Sequence, residues 1–273
     1  MGKCGFTVRV LCGIAMSAAP AACVTEAASP PSPTPTPSVE ARVFASVRVV
    51  AKTATDGLAS LGLTLSPVGL VESVTSPGGS VVRVVDVRDG RELRRVESAG
   101  RRGAAGVALT AEGLWEVVSP EVAVLRDPAS LVERRRAAIG GAAWGLCGID
   151  GLVVTSDRTN RLVLRDSGTF GEVRAVTVSG HWAEGQRLGA LACVREDGRG
   201  QVWAVVVGSD WLVRVDLANG HVTGVASLAR IRAEEPGAGG AVGGIAASGD
   251  PGELWVSGEF RHRFKVRLDG AGR

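Results

Sequence analysis

Apolar and polar positions alternate along this chain in short, regular strokes. The stretch Ala143 to Asp166, AWGLCGIDGLVVTSDRTNRLVLRD, reads as three strands, with turns at Asp150-Gly151 and at Arg158-Thr159-Asn160. A fourth strand follows in GEVRAVTV. Short strands joined by tight polar turns predict an antiparallel meander. The same phrase recurs: VVRVVDVRDGRELRRV, VAVLRDPASLVERRR, LVLRDSGTFGEVRAVTV, LVRVDLANGHVTGVASL and a closing FKVRLDG. Its anchoring aspartates are Asp86, Asp127, Asp166, Asp216 and Asp269, spaced 41, 39, 50 and 53 residues apart. Four short strands per unit at that period predict a five-bladed all-β propeller of four-stranded antiparallel blades. A jelly roll is the alternative, but it does not call for regularly spaced Asp turns. The last unit lacks one strand, and RVFASVRVVA (42–51) has no unit of its own. That N-terminal strand is expected to complete the last blade and cover its edge.

Composition changes the picture little. A chain of 273 residues with 45% hydrophobic content supports one large β domain. Tyrosine is absent and arginine outnumbers lysine 28 to 3, which reads as a GC-rich coding bias. The net charge of +3 becomes 29 minus 28, or +1, once Lys3 and Arg9 leave with a leader. Near-neutrality gives no support for nucleic-acid binding, which needs a clustered basic face.

Residues 1–23 have the form of an export signal: Lys3 and Arg9, an apolar run from Val10 to Ala22, and an Ala19-Pro20-Ala21 cleavage pattern. Cys23 follows as in a bacterial lipoprotein box, although Pro20 stands where that motif usually has Leu. The protein is therefore expected to be exported, either as a cell-surface lipoprotein acylated on Cys23 or in secreted form. Residues 24–40, VTEAASPPSPTPTPSVE, predict an extended Pro/Ser/Thr-rich linker about 40–50 Å long. Residues 41–273 form the propeller. Cys147 and Cys193 fall in the first strands of neighbouring units, so a disulfide is plausible in an oxidising compartment; two buried thiols are the alternative. His181, His221 and His262 are far apart, and neither they nor the cysteines have zinc-site spacing. No metal, no cofactor and a monomer are expected, with membrane contact only through a lipid anchor.

Four colinear segments, WGLCGIDGLVVTSDRTNRL, QVWAVVVGSDWLVRVDLANGHVTGV, VESVTSPGGSVVRVVD and GGIAASGDPGELWVSGEFRHRFKVRL, resemble the plant- and bacterial-type glutaminyl-peptide cyclotransferases. The resemblance runs from about Val47 to Leu268. It implies a five-bladed propeller that cyclises an N-terminal Gln to pyroglutamate with release of ammonia. That chemistry needs a cage for the glutaminyl side chain and acidic and polar groups to hold the amine and move a proton. Glu72 matches the family's active-site Glu. At the family's other polar and aromatic positions this chain has Ala59, Leu61, Ala105, Ser119, Ala142, Gly189, Ala190, Ala192, Val205, Val207 and Gly243. Glu259 stands where the family has Lys, a charge reversal expected to act on Glu72. Scaffold positions such as Trp144, Ser156, Asp157, Trp203 and Asp210 persist.

The resemblance thus leaves Glu72 as the candidate catalytic residue, or as a carboxylate bonded to turn amides. Trp144, Asp157 and Trp182 are candidate substrate contacts. Against this, Trp144 and Trp203 can pack between blades, and Ser156-Asp157 and Ser209-Asp210 can cap turns. His181-Trp182 and Glu184 can rim a replacement pocket or form an ordinary loop. Two functions follow. One is a non-catalytic exported propeller binding a peptide or protein N-terminus at its channel mouth. The alternative is an active cyclotransferase using Glu72 in a rearranged shell.

Overall fold

A computed structural model describes residues 42–44, 46–98, 106–180, 182, 185–235 and 240–270. The expected leader, Cys23, the linker, Ala105, His181 and Glu184 lie outside the described residues.

In chain order, β1 (Arg42–Phe44) and β2 (Ser46–Ala54) precede the first blade, which comprises β3 (Ser60–Ser66), β4 (Gly69–Ser76), β5 (Gly79–Val85) and β6 (Glu92–Glu97). The second blade holds β7 (Val107–Thr110), β8 (Gly113–Ser119), β9 (Val122–Arg126) and β10 (Glu133–Ala138). The third holds β11 (Leu146–Ile149), β12 (Leu152–Ser156), β13 (Arg161–Asp166) and β14 (Glu172–Thr177). The fourth holds β15 (Leu188–Glu196), β16 (Arg199–Val206), β17 (Trp211–Asp216) and β18 (Val222–Ser227). After a single turn of helix, α1 (Ala229–Glu234), come β19 (Val242–Ala247), β20 (Glu253–Gly258) and β21 (His262–Asp269).

Consecutive strands within each blade pair antiparallel, and the inner strands β3, β7, β11, β15 and β19 pack side by side until β19 meets β3 again. The fold is a five-bladed propeller. As the strand count required, β2 pairs antiparallel with β21 and completes the last blade. The N-terminal stretch is not one strand, however. Its first part, β1, pairs parallel with β18 on the outer edge of the fourth blade, Val43 opposite Val225.

Burial explains the strand sequences. A blade is covered on both faces by its neighbours, so second and third strands such as GLWEVVS and VAVLR are almost entirely buried. Fourth strands reach solvent in the first three blades and read ELRRVE, ERRRAA and EVRAVT. The aspartates that set the repeat each close a turn. Leu131 N–H and Phe170 N–H donate to the backbone carbonyls of Asp127 and Asp166, as do Gly90 and Gly220 to Asp86 and Asp216. The Asp carboxylates meanwhile accept from amides two or three residues on, Arg88, Ala129, Ser130, Thr169 and Ala218. All four closing residues have positive φ, 62° at Leu131 and 65° at Phe170. These two non-glycines hold that backbone because their side chains are fully buried, Phe170 against Trp115 at 4.7 Å. The fifth aspartate, Asp269, instead pairs with Arg48 of β2.

Each blade also buries an arginine on its third strand: Arg83, Arg126, Arg165, Arg214 and Arg263. Arg126 pairs with Glu116 and Arg214 with Glu196. Arg83 and Arg263 share Glu72 across the seam where the fifth blade meets the first. Among the described residues Arg165 hydrogen-bonds only to neutral oxygens, those of Thr155, Phe170 and Gly140 at 3.3–3.5 Å, and burial lowers its affinity for its proton. The seam between the third and fourth blades is covalent: Cys147 of β11 is disulfide-bonded to Cys193 of β15, with Cα atoms 5.4 Å apart.

Candidate functional site

At one end of the hub the starts of the inner strands and the ends of the second strands surround a cavity of about 180 Å³. It is lined by Ala59, Ser60 and Leu61 at the start of β3, by Gly189 and Ala190 of β15, and by Val205 and Val207 around the end of β16. Ala241, Val242 and Gly243 close it at β19, while Trp144, Arg158, Arg232 and Glu259 bring larger side chains. The hub is tight here because backbones touch. A Cβ on Gly243 would lie 1.8 Å from the Ser60 carbonyl oxygen, and one on Gly145 2.1 Å from that of Gly189. Ser156 reinforces the second contact: its hydroxyl accepts from Gly145 N–H at 2.9 Å and donates to Gly189 O at 2.7 Å.

The electrostatics of this mouth are uneven. The Arg158 guanidinium lies over the Trp144 ring, 3.4 Å from its centroid. Partial burial, and then the positive charge of nearby Arg187, lower the proton affinity of Arg158. The neighbouring acid, Asp157, accepts from the amide and hydroxyl of Thr159, at 2.9 and 2.5 Å. Arg232 of α1 is paired with Asp210. Glu259, in the turn between β20 and β21, supplies the one carboxylate among the described lining residues. Deeper in the hub a second cavity of about 170 Å³ is lined by inner-strand residues, among them Leu191, Ala192 and both disulfide cysteines.

The candidate residues part company in space. Glu72 does not line the mouth and does not face Glu259. It is 1% exposed and contacts arginines rather than turn amides: Arg83 Nε at 3.0 Å, Arg263 Nε at 2.6 Å and Arg263 Nη2 at 2.7 Å. Arg83 is further held by Asp56 at 2.6 and 3.0 Å, whose carboxyl that guanidinium keeps below its ordinary range. Trp144 does line the mouth. Trp203 packs inside, 4% exposed, with Arg214 5.7 Å from its centroid. Asp157 serves its own turn, whereas Asp210 binds α1 rather than capping. Trp182 packs on Trp211 with centroids 5.3 Å apart, both partly exposed, and neither lines the cavity. Among the described residues no three His, Cys, Asp or Glu side chains assemble as a metal would need.

Eight of the positions marked by the resemblance converge on the mouth: Ala59, Leu61, Gly189, Ala190, Val205, Val207, Gly243 and Glu259. Ser119 and Ala142 do not line it. Sequence reasoning passed over Arg158, Arg187 and Arg232. Arg158 reads as a turn residue, and only the position of its turn, at the mouth end of a repeat beside Trp144, points to it.

The family profile described as glutamine cyclotransferase matches residues 15–268. Among solved structures, the glutaminyl cyclase of Myxococcus xanthus is similar with a TM-score of 0.71 at 24% identity, covering 85% of this chain and 98% of that one. The hydrazine synthase of Kuenenia stuttgartiensis is matched more loosely, with a TM-score of 0.47 at 18% identity over 75% of this chain and 56% of that one. No curated protein matches.

Proposed function

The chain belongs to the glutamine cyclotransferase family, and from that premise we propose that its mouth cavity binds a peptide or protein N-terminus without turning it over. The observation that carries this reading is the lining of the cavity. Where a glutaminyl carboxamide would need hydrogen-bonding partners, the uncharged part of the wall offers Leu61, Val205, Val207 and Val242, with two serines whose hydroxyls already donate to backbone carbonyls, Ser60 to Gly62 and Ser209 to Val206. A carboxamide buried there unpaired costs a few kcal/mol, about 1–3 on mutational scales. The same wall suits an aliphatic first side chain, with Glu259 available to the α-ammonium.

A proton-transfer role for Glu72 requires its carboxylate within about 3 Å of the reacting atoms, directly or through one water. Its oxygens are instead occupied by two guanidinium groups inside a blade seam. An equivalent arrangement in the second blade, Glu116 with Arg126, fits a structural role for both.

The test uses purified protein and two peptides, Gln-Gly-Gly-amide and Leu-Gly-Gly-amide. Ammonia release from the first is expected to stay at the uncatalysed rate. Calorimetry is expected to show the second binding, with loss on N-acetylation and in Glu259→Gln. Turnover of Gln-Gly-Gly-amide by the wild-type protein would overturn the proposal in favour of a working cyclotransferase. We further propose that the protein acts outside the cytoplasm, on the strength of the leader and Cys23. Palmitate-analogue labelling that is equal in wild type and Cys23→Ala would reject acylation there.

A further inference from the structure

Two charged side chains in the mouth carry opposite signs, and among the described residues neither is in an ion pair. Glu259 enters from the turn between β20 and β21 and Arg158 from the turn between β12 and β13; both line the same cavity. Among the described residues neither lies within ion-pair distance of the other or of any opposite charge. Of the mouth arginines, Arg232 is paired with Asp210, while Asp157, beside Arg158 in sequence, turns its carboxylate to the amide and hydroxyl of Thr159. A carboxylate and a guanidinium on one small cavity, not paired with each other, are complementary to a ligand carrying both charges.

Resting on the reading of the mouth as a receptor for a chain N-terminus, we infer that its ligand is a peptide with a carboxylate close to its free amine. The ammonium meets Glu259 and the carboxylate meets Arg158. Arg158 is prepared for this. Its guanidinium plane is stacked on Trp144, which restrains a side chain that would otherwise lose much rotamer freedom on binding. The planar fork then presents N–H donors in the geometry a carboxylate accepts bidentately. Arg187, close enough to disfavour the charge on Arg158, adds an unfavourable repulsion that an incoming anion relieves. The carboxylate can belong to an acidic side chain or to the C-terminus of a very short peptide.

The experiment is calorimetric titration of the full chain with Leu-Gly-Glu-Gly-amide, Leu-Gly-Gln-Gly-amide and Leu-Gly-Gly with a free C-terminus. The Glu peptide is expected to bind about tenfold more tightly than its Gln counterpart, the effect of one charge-assisted bidentate contact. Arg158→Gln is expected to erase that ratio. Tighter binding of Leu-Gly-Gly than of the Glu peptide would identify the terminal carboxylate as the source. Equal binding of the Glu and Gln peptides, or a preference that survives Arg158→Gln, overturns the inference and leaves the N-terminus reading standing. Binding of none of the three, or binding unaffected by N-acetylation, removes the N-terminus reading and this inference together.

Discussion

Two seams of the ring are held by different means. Where the fifth blade meets the first, closure depends on charge: Glu72 lies between Arg83 and Arg263, partners 11 and 191 residues away in sequence. Where the third blade meets the fourth, closure depends on a covalent bond between Cys147 and Cys193, 46 residues apart, and on the Ser156 hydroxyl. A buried carboxylate between two guanidinium groups is barely favourable against an apolar replacement of all three, yet severe to break one partner at a time. A disulfide acts chiefly on the unfolded chain. The first seam should therefore be sensitive to substitution and the second to redox conditions.

The largest effect is expected at the ionic seam. Glu72→Gln leaves the buried Arg263 guanidinium without an acid among the described residues and Arg83 with only Asp56 and Glu92, and should cost about 3–5 kcal/mol. A fall in melting temperature of about 10 °C or more, read by calorimetry, is the corresponding signal. A variant melting within two or three degrees of wild type would show that the seam does not depend on this charge.

The covalent seam comes next. Replacing Cys147 and Cys193 together by Ser should cost about 2–4 kcal/mol, near the chain-entropy figure for a loop of this size. Reductant should lower the melting temperature of wild type and leave the double variant unmoved. If reductant shifts both equally, the disulfide is not what is being measured.

Acid provides a smaller and more graded test, away from both seams. Arg88, through its side chain and then its amide, holds the Asp86 carboxyl at about 2, and the Ser130 amide and hydroxyl lead in doing the same for Asp127. Both lie below the unfolded value of about 3.9. Their contribution is complete above about pH 4 and is lost as pH falls toward 2. Asp127→Asn should flatten the melting-temperature profile over that window and leave the profile above pH 5 parallel to wild type.

The smallest effect is expected at Arg165, the one third-strand arginine held only by neutral oxygens. Arg165→Met should change stability by less than about 1.5 kcal/mol, and can raise it, since it removes a buried charge without orphaning a partner acid. A loss as large as that of Glu72→Gln would mean that the stack of Arg165 on Phe170, 5.4 Å away, matters more than its charge.

The five blades could be read from the sequence because the repeat is enforced locally. Each Asp turn must satisfy the same amides, so Asp86, Asp127, Asp166 and Asp216 recur whatever surrounds them. The need for a strand to complete the last blade followed from counting. The division of that segment into β1 and β2 did not, because RVF and SVRVVA carry the same apolar alternation and nothing local states which sheet each joins. The mouth was partly legible: eight positions marked by resemblance sit around it, since colinear matches preserve places on inner strands. The setting of Glu72 was not legible, because its partner Arg263 lies at the far end of the chain. Nor was Arg158, whose meaning depends on an indole brought beside it by the turn of a whole blade.

The placement of β1 on one blade and β2 on the next has a mechanical reading. A pull on the amino end meets three paired positions at β1 before it reaches the eight that fasten β2 to β21. The shorter zipper would yield first, and the propeller behind it would stay shut.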